Sequence, residues 1–262
     1  MPIENKNIVI TGAASGIGRA LLFQLTSQGN KILAIDINEV GLVSLKKLFP
    51  QISTLKVDLT ESKNLSLVFQ EIKSQMGVVD IFFANAGIAK YGLWEDIKTN
   101  DIDKIFKINT LIPIETAHWL KENQKNHPFR LVVTASAISY WPVPGYAAYA
   151  ASKAAIHQFA ETLRSEGDGS WLTLAYPSAT DTGFFDFAGK DIPKAFPVQS
   201  ADSVARAIVK GVEKGKTRIY PSTAFWLVMK LNKWVPILQP IYFFIESQKL
   251  HKWSEGLKNE SQ

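Results

Sequence analysis

The stretch "IVITGAASGIGRALL", residues 8–22, has the pattern of an apolar strand, a glycine-rich turn and the start of a helix. Its glycines stand where a backbone without side chains can approach a pyrophosphate closely, and the first N–H groups of the helix favour an anion. The residues expected at the pyrophosphate are Gly12, Ser15, Gly16, Ile17 and Gly18. The GxxxGxG spacing differs from the commoner GxGxxG pattern, yet glycines directly after a first strand favour a dinucleotide turn over a plain tight turn.

Short apolar runs alternate with amphipathic stretches along most of the 262 residues, which is the βαβ pattern of a parallel sheet. The predicted strands are Asn7–Thr11, Lys31–Ile35, Ser53–Val57, Asp80–Ala84, Arg130–Thr134, Trp171–Ala175 and Thr217–Tyr220. The predicted helices are 17–28, 39–48, 63–75, 101–123, 148–166 and 201–214. We therefore predict one α/β domain over residues 1–221, a doubly wound parallel sheet of about seven strands, followed by a C-terminal helical extension over residues 222–262.

Composition excludes several classes of function. The absence of cysteine rules out disulfides, thiolate metal sites and cysteine nucleophiles, and the four scattered histidines predict no metal site. The net charge of +5 is spread along the chain, so no nucleic-acid partner is expected. Without an apolar leader or a bilayer-length apolar run, the sequence predicts a cytoplasmic location.

The second predicted strand ends in Asp36, whose carboxylate could accept both ribose hydroxyls of an adenosine. It would also repel a 2′-phosphate, since two charges about 4 Å apart interact by about 4 kcal/mol at an effective dielectric of about 20. Neither Ser15 nor Ile37 supplies an offsetting cation. An ordinary helix-capping aspartate is the alternative, but the preceding glycine turn favours NAD over NADP.

Two further segments suit the same cofactor. Asp58 follows the third strand and could reach the adenine edge. The fourth strand ends in Asn85, Ala86 and Gly87, where small side chains let a bulky cofactor pass. Each signal is weak alone because these are common loop residues, so their order along the chain is what adds weight.

The stretch "GYAAYAASKAA", residues 145–155, places Tyr149 and Lys153 four residues apart on one helix face. A free phenol titrates near pH 10, and a neighbouring cation would lower the pKa of Tyr149 toward the working range. Tyr140 and Tyr146 lack such a partner. Ser136 ends the fifth strand, so a second hydroxyl can converge on the same substrate oxygen.

Together these residues resemble the classical short-chain dehydrogenase/reductase family. The resemblance covers about residues 5–182 and is carried by TGAASGIG (11–18), Asp36, Asp58, NAG (85–87), Asn109, Ser136 and YAASK (149–153). It implies a Rossmann fold, NAD(P)-dependent hydride transfer between an alcohol and a carbonyl, and a homodimer or homotetramer.

The resemblance also implies roles for single residues. Tyr149 would be the general acid/base, Lys153 would lower its pKa and hold the nicotinamide ribose, and Ser136 would orient the substrate oxygen. Asn109 would maintain a water-linked proton path to Lys153.

After the sixth strand the sequence departs from the family pattern. Pro177 and Thr182 keep their places near the nicotinamide, but Ser178 replaces the usual glycine. Loss of a glycine's freedom at positive φ predicts a changed loop there.

The loops expected around the substrate are rich in aromatic residues, namely Tyr140, Trp141, Tyr146, Phe184, Phe185, Phe187 and Phe196. Lys190 and Lys194 are the few groups that could hold a phosphate or carboxylate, so an apolar alcohol or ketone (lipid, sterol-like or aromatic) is expected. The aromatics could equally cover the edge of the core. His157 continues the Lys153 stripe, where packing is favoured over a second proton relay.

The C-terminal extension carries a helical apolar stripe through Ala224, Val228, Leu231 and Val235, with lysines off that stripe. It could form a lid, a subunit contact or a peripheral membrane contact, with the lid or packing favoured. An alternative for the whole chain is a non-catalytic NAD-binding redox sensor. The intact Ser136–Tyr149–Lys153 set disfavours it, because a sensor needs no tuned phenol.

Overall fold

A parallel sheet is the centre of the computed structural model, which describes residues 2–61, 63–183, 188–189, 192–193 and 198–260, with side chains of the last helix to Gly256. Its strands are β1 (Asn7–Thr11), β2 (Lys31–Asp36), β3 (Ser53–Lys56), β4 (Ile81–Ala84), β5 (Arg130–Thr134), β6 (Leu172–Ala175) and β9 (Arg218–Ile219). These seven lie in the order β3-β2-β1-β4-β5-β6-β9, and all neighbours are parallel. The predicted sheet is confirmed. Two short strands that the sequence did not signal, β7 (Thr180–Asp181) and β8 (Gln199–Ser200), pair separately.

Helices connect the strands. They are α1 (Gly16–Leu25), α2 (Glu39–Leu48), α3 (Asn64–Gln75), α4 (Thr99–Phe106), α5 (Ile112–Asn123), α6 (Ala147–Ser165), α7 (Ala201–Glu213), α8 (Thr223–Asn232) and α9 (Leu238–Glu260). Single 3₁₀ turns occur at Trp94–Asp96 and Ala137–Ser139. Most predicted bounds agree within a few residues.

The helix predicted as continuous over 101–123 is interrupted. A π-helical turn, Lys107–Leu111, separates α4 from α5. The physical reason is Pro113, which has no N–H to bond the carbonyl of Asn109. The chain instead takes a wider turn, in which the N–H of Ile112 bonds the carbonyl of Lys107.

The sheet is covered on both faces. On one face, Ile8 and Ile10 of β1 pack with Leu21 of α1 and Ile208 of α7. On the other, neighbouring strand residues pack against α3, α5 and α6; Val9, Val68, Leu120 and Ile156 belong to this cluster. Strands buried on both faces account for the continuous apolar runs in the sequence.

The strand order reverses direction at β1, whose neighbours are β2 on one side and β4 on the other. Loops leaving β1 and β4 therefore diverge and open a crevice at the carboxyl edge, the usual ligand site of such sheets.

The last two helices close over this edge. Trp141 lies between them, with its ring centroid 6.0 Å from that of Phe225 in α8 and 5.9 Å from that of Tyr242 in α9. Farther along α9, Trp253 packs edge-on against Tyr91 at 4.9 Å. No helix within the described ranges is both long enough and apolar enough to cross a membrane.

Replacing Gly18 by alanine should destabilise the domain. Its Cβ would overlap the carbonyl oxygen of Gly12 in the glycine turn and lie 2.7 Å from Nδ2 of Asn85 at the end of β4. Such overpacking costs about 1–3 kcal/mol, measurable as a lower denaturant midpoint. Gly256→Ala is the matched control, because its Cβ would meet nothing within 4 Å and helix propensity favours alanine. Equal midpoints for Gly18→Ala and wild type would contradict the proposed tight contact between turn and helix.

Candidate active site

A cleft of about 720 Å³ lies at the carboxyl edge of the sheet. It brings together most of the sequence-predicted site residues: Gly12, Ser15, Gly16, Ile17, Asp36, Asp58, Asn85, Ala86, Gly87, Ser136, Tyr149, Lys153, Pro177 and Thr182. Gly18 and Asn109 are not in its lining but lie directly behind it. Its size falls within the range of small-molecule and cofactor sites.

The glycine turn has the shape that a pyrophosphate requires. Gly12 and Gly16 have left-handed backbones, with φ of 67° and 49°. A Cβ at Gly12 would lie 3.0 Å from the Cα of Ala86, and one at Gly16 would lie 3.0 Å from the side chain of Thr182. Ser15 precedes α1 with an extended backbone, and its side chain does not cap the helix. The first-turn N–H groups therefore face the cleft, and the turn fits a dinucleotide.

Asp36 ties the glycine turn to β2. Its Oδ2 accepts a hydrogen bond from the Ala14 N–H and its Oδ1 accepts one from the Asn38 N–H, both at 2.9 Å. The carboxylate thus serves as a local cap and also lines the cleft. Asp58 behaves similarly, since its Oδ1 accepts from the N–H of Thr60 at 2.9 Å.

Asn85 joins three strand ends. Its N–H donates to Oγ1 of Thr11 at 3.1 Å, and its Oδ1 accepts from Oγ1 of Thr134 at 3.0 Å. The Ala86 N–H also donates to Thr11 at 3.1 Å. These bonds hold the ends of β1, β4 and β5 together beneath the cleft.

Tyr149 and Lys153 lie on the cleft side of α6 as the spacing predicted. Nζ of Lys153 donates to the carbonyl oxygen of Thr134 at 2.7 Å and lies 5.8 Å from the ring centroid of Tyr149. The side chains of Ser136 and Tyr149 are hydrogen-bonded to each other. The predicted convergence of these side chains is therefore present, with both hydroxyls at one point of the cleft.

The sequence predicts that Lys153 lowers the pKa of Tyr149, and this direction is wrong for the protein without a bound cofactor. Burial raises the pKa of Tyr149 to about 12, although the hydrogen bond from Ser136 opposes that rise. Burial also lowers the pKa of Lys153 to about 7. Desolvation disfavours the charged form of each side chain. The phenol is consequently protonated at neutral pH, the state needed to donate a proton.

Asn109 lies behind Gly87 in the π-helical turn. Its Oδ1 accepts from the Ile88 N–H at 3.0 Å, and its Nδ2 donates to the Ile88 carbonyl at 2.8 Å and to Oγ of Ser152 at 3.0 Å. A Cβ at Gly87 would lie 3.1 Å from Oδ1 of Asn109 and 3.6 Å from Nζ of Lys153. The water-linked path between these two side chains stays a prediction.

The loop after β6 accommodates Ser178 without strain. Among the described residues, Asn5 is the non-glycine with a left-handed backbone, so Ser178 needs no positive φ. Its hydroxyl donates to Oε1 of Gln199 at 2.9 Å, which links the loop to β8. Several predicted substrate-loop residues, Phe184, Phe185, Phe187, Lys190, Lys194 and Phe196, lie outside the described residues.

His157 packs beneath the site rather than facing it. Its Nδ1 lies 2.8 Å from the hydroxyl of Tyr176, and its ring centroid is 4.6 Å from that of Tyr140. It does not line the cleft. This placement matches the packing role favoured from the sequence.

Other wall residues were not assigned individually from the sequence. Phe225, Val228 and Tyr242 from the last two helices line the cleft together with Val143. Tyr146 is 5% exposed, and its hydroxyl is buried with no hydrogen-bond partner in the described part of the chain. An aromatic-rich tail was the available signal, but nothing in it indicated which side chains turn inward.

A sequence model of the short chain dehydrogenase family matches residues 6–191. The chain belongs to the short-chain dehydrogenase family. It is an oxidoreductase of the kind that acts on CH–OH groups with a nicotinamide dinucleotide.

Relatives of this short-chain dehydrogenase belong to the same family. It is 29% identical over 240 residues to the 11-beta-hydroxysteroid dehydrogenase-like 4A of Arabidopsis thaliana, covering 86% of this chain and 80% of that one. A Burkholderia phymatum short chain dehydrogenase/reductase solved with NAD has a TM-score of 0.79 at 22% identity, covering 91% of this chain and 96% of that one. A Sphingobium yanoikuyae short-chain dehydrogenase solved with NADPH has a TM-score of 0.75 at 22% identity, covering 90% and 92%. The two structures support the fold.

The raised pKa of Tyr149 predicts different pH profiles for the two reaction directions. Because its pKa is about 12, the phenol stays protonated from about pH 6 to about pH 9, so ketone reduction should not lose rate for want of that proton. Alcohol oxidation needs the phenolate, so its rate should rise with pH by up to about tenfold per pH unit. Steady-state rates in both directions test this. Tyr140→Phe, outside the cleft, should retain both profiles, whereas a rate of alcohol oxidation that does not change between about pH 6 and about pH 9 would refute it.

Proposed function

We propose that this chain interconverts an apolar alcohol and its ketone or aldehyde using NAD(H). The observation that carries the proposal is the hydrogen-bonded Ser136–Tyr149 pair beside Lys153, at one point of a cleft that also contains the glycine turn. A binding-only protein has no need for two hydroxyls that converge on one substrate atom.

The residues act as follows. Tyr149 donates its proton to the carbonyl oxygen during reduction and accepts it back during oxidation, and the Ser136 hydroxyl orients the same oxygen. Lys153 is held by Thr134 at 2.7 Å, in reach of the ribose side of the cleft. The glycine turn and Asp36 would hold the dinucleotide, whose nicotinamide carries the hydride when bound.

An apolar substrate is supported by the far wall of the cleft. Trp141, Phe225, Val228 and Tyr242 line it. The unpartnered hydroxyl of Tyr146 would bond a second polar atom of the substrate, since a buried hydroxyl without a partner is costly. The name of the Arabidopsis relative, a hydroxysteroid dehydrogenase-like protein, fits a large apolar alcohol. A homodimer or homotetramer, as the family resemblance implies, is part of the proposal.

Preference for NAD over NADP is supported by the surroundings of Asp36. Ser15, Ile37 and Asn38 line the cleft beside it and are uncharged. A 2′-phosphate would therefore meet an anion with no adjacent cation among these neighbours.

Turnover should depend on the Tyr149 hydroxyl. In the wild type, the rate of NADH oxidation with a series of ketones and aldehydes should rise with the apolar size of the substrate. In Tyr149→Phe this rate should be about 10²–10⁴-fold lower, while NADH still binds. Tyr146→Phe removes a neighbouring hydroxyl but keeps the proton donor. It should still turn over simple ketones and raise KM chiefly for ketones with a distal hydroxyl.

Two results would overturn this assignment. One is undiminished turnover by Tyr149→Phe. The other is tight NADH binding with no reduction of any ketone or aldehyde tested, which would favour the redox-sensor alternative.

Asp36→Ala should alter cofactor choice. Loss of the carboxylate should raise KM for NADH and lower it for NADPH, so that discrimination falls at least about tenfold, or about 1.4 kcal/mol. Asp58→Ala is the control, because it should weaken the binding of NADH and of NADPH to the same extent. If the NADH:NADPH ratio of kcat/KM is the same in Asp36→Ala and wild type, the electrostatic argument fails.

A further inference from the structure

The last two helices expose a continuous apolar surface, which we name the platform. More than half of the exposed large apolar side chains in the described part of the chain belong to it. The platform consists of Trp226, Leu227, Val228, Leu231, Trp234, Val235, Ile237, Ile241, Phe244 and Ile245. Trp234 is 87% exposed and Phe244 67%. Exposed apolar patches of this extent mark interaction sites.

The platform belongs to helices that are firmly attached to the domain. The opposite side of α9 packs inward through Glu246, Leu250 and Trp253, the last against Tyr91. Ile241 and Ile245 of α9, with Ile237 just before the helix, are exposed and recur at helical spacing. One side of α9 thus packs against the domain, and within the described residues the other side is exposed.

The chain segment that carries the platform has charges of one sign. No aspartate or glutamate occurs between Thr223 and Ile245, whereas Lys230 and Lys233 are exposed. Nζ of Lys230 lies 5.8 Å from the Trp226 ring centroid. The first acid that follows, Glu246, is buried and paired with Lys249 at 2.7 Å. Tryptophans with lysines and no acids characterise surfaces that rest on anionic lipid.

A second copy of the chain fits this surface less well. In a symmetric dimer the same patch faces itself, so Lys230 and Lys233 would face a surface that carries the same two lysines. The platform carries no acid to pair with them, and like charges brought together oppose association. An anionic bilayer supplies both the apolar layer and the opposite charge.

The platform is continuous with the cleft. Ala224, Phe225, Val228 and Tyr242 line the cleft, and Val228 belongs to both surfaces. We propose that the platform rests on an anionic bilayer with the mouth of the cleft toward the lipid, so that an apolar substrate reaches Tyr149 without crossing water. Delivery of substrate rests on the proposed function, whereas docking does not.

Docking is tested by co-sedimentation of the full chain with vesicles. The wild type should pellet with vesicles containing phosphatidylglycerol, less with pure phosphatidylcholine, and less at high salt. Trp234→Glu/Ile237→Glu should weaken partition at least tenfold. Trp94→Glu/Val40→Glu is the matched control, since it makes the same kind of change at exposed apolar residues outside the platform.

The outcomes are decisive in both directions. Equal pelleting of wild type with both lipids, or equal pelleting of the platform variant and wild type, would overturn docking. A third result would also overturn docking: the wild type does not pellet with vesicles, and the platform variant has a smaller particle mass than the wild type in light scattering. The platform would then be a contact between copies of the chain.

Kinetics separate delivery from the proposed function. With a water-soluble ketone, the platform variant and the control should match the wild type, since neither alters a cleft residue. With a long-chain ketone dissolved in anionic vesicles, the platform variant alone should be slow, and equal rates would overturn delivery. If vesicle binding follows the prediction but no ketone is reduced in either form, docking is supported while delivery and the proposed function both fail.

Discussion

The buried ammonium of Lys153 is the constraint on which the rest of the site depends. A cation this deep is costly unless it is hydrogen-bonded, and its Nζ donates to the carbonyl of Thr134 at 2.7 Å. That bond sets the rotation of α6 against the end of β5. Tyr149 lies one turn earlier on the same face, so its phenol is held beside Ser136.

A second set of bonds extends this constraint to the cofactor side. The Thr134 carbonyl accepts a hydrogen bond from Lys153, and the Thr134 hydroxyl donates one to Asn85. The Asn85 N–H in turn donates to Thr11 at the start of the glycine turn. The ends of β1, β4 and β5 therefore cannot shift independently. Residues placed as far apart in the chain as Thr11 and Lys153 are joined by one polar network, which explains why hydroxyls and amides stand at the strand ends of an otherwise apolar sheet.

Burial also sets the protonation states of the site. Apolar residues of α8 and α9 line the same cleft in which Tyr149 and Lys153 lie. Each charged form is disfavoured, so the pKa of the phenol rises and that of the ammonium falls. The two helices that line this cleft also expose apolar side chains on their other side.

The sequence by itself determined the doubly wound sheet, the glycine turn and the pairing of Tyr149 with Lys153, because period, glycine placement and i,i+4 spacing are local properties of the chain. Only the tertiary structure decided features that depend on distant neighbours. The π-helical turn at Lys107–Leu111 interrupts a pattern that is helical throughout, and whether the Tyr146 hydroxyl finds a partner, which it does not among the described residues, depends on distant packing. The direction of the Tyr149 pKa shift was mispredicted for the same reason: the attraction of a lysine is visible in the spacing, but desolvation is the sum of everything packed around the phenol.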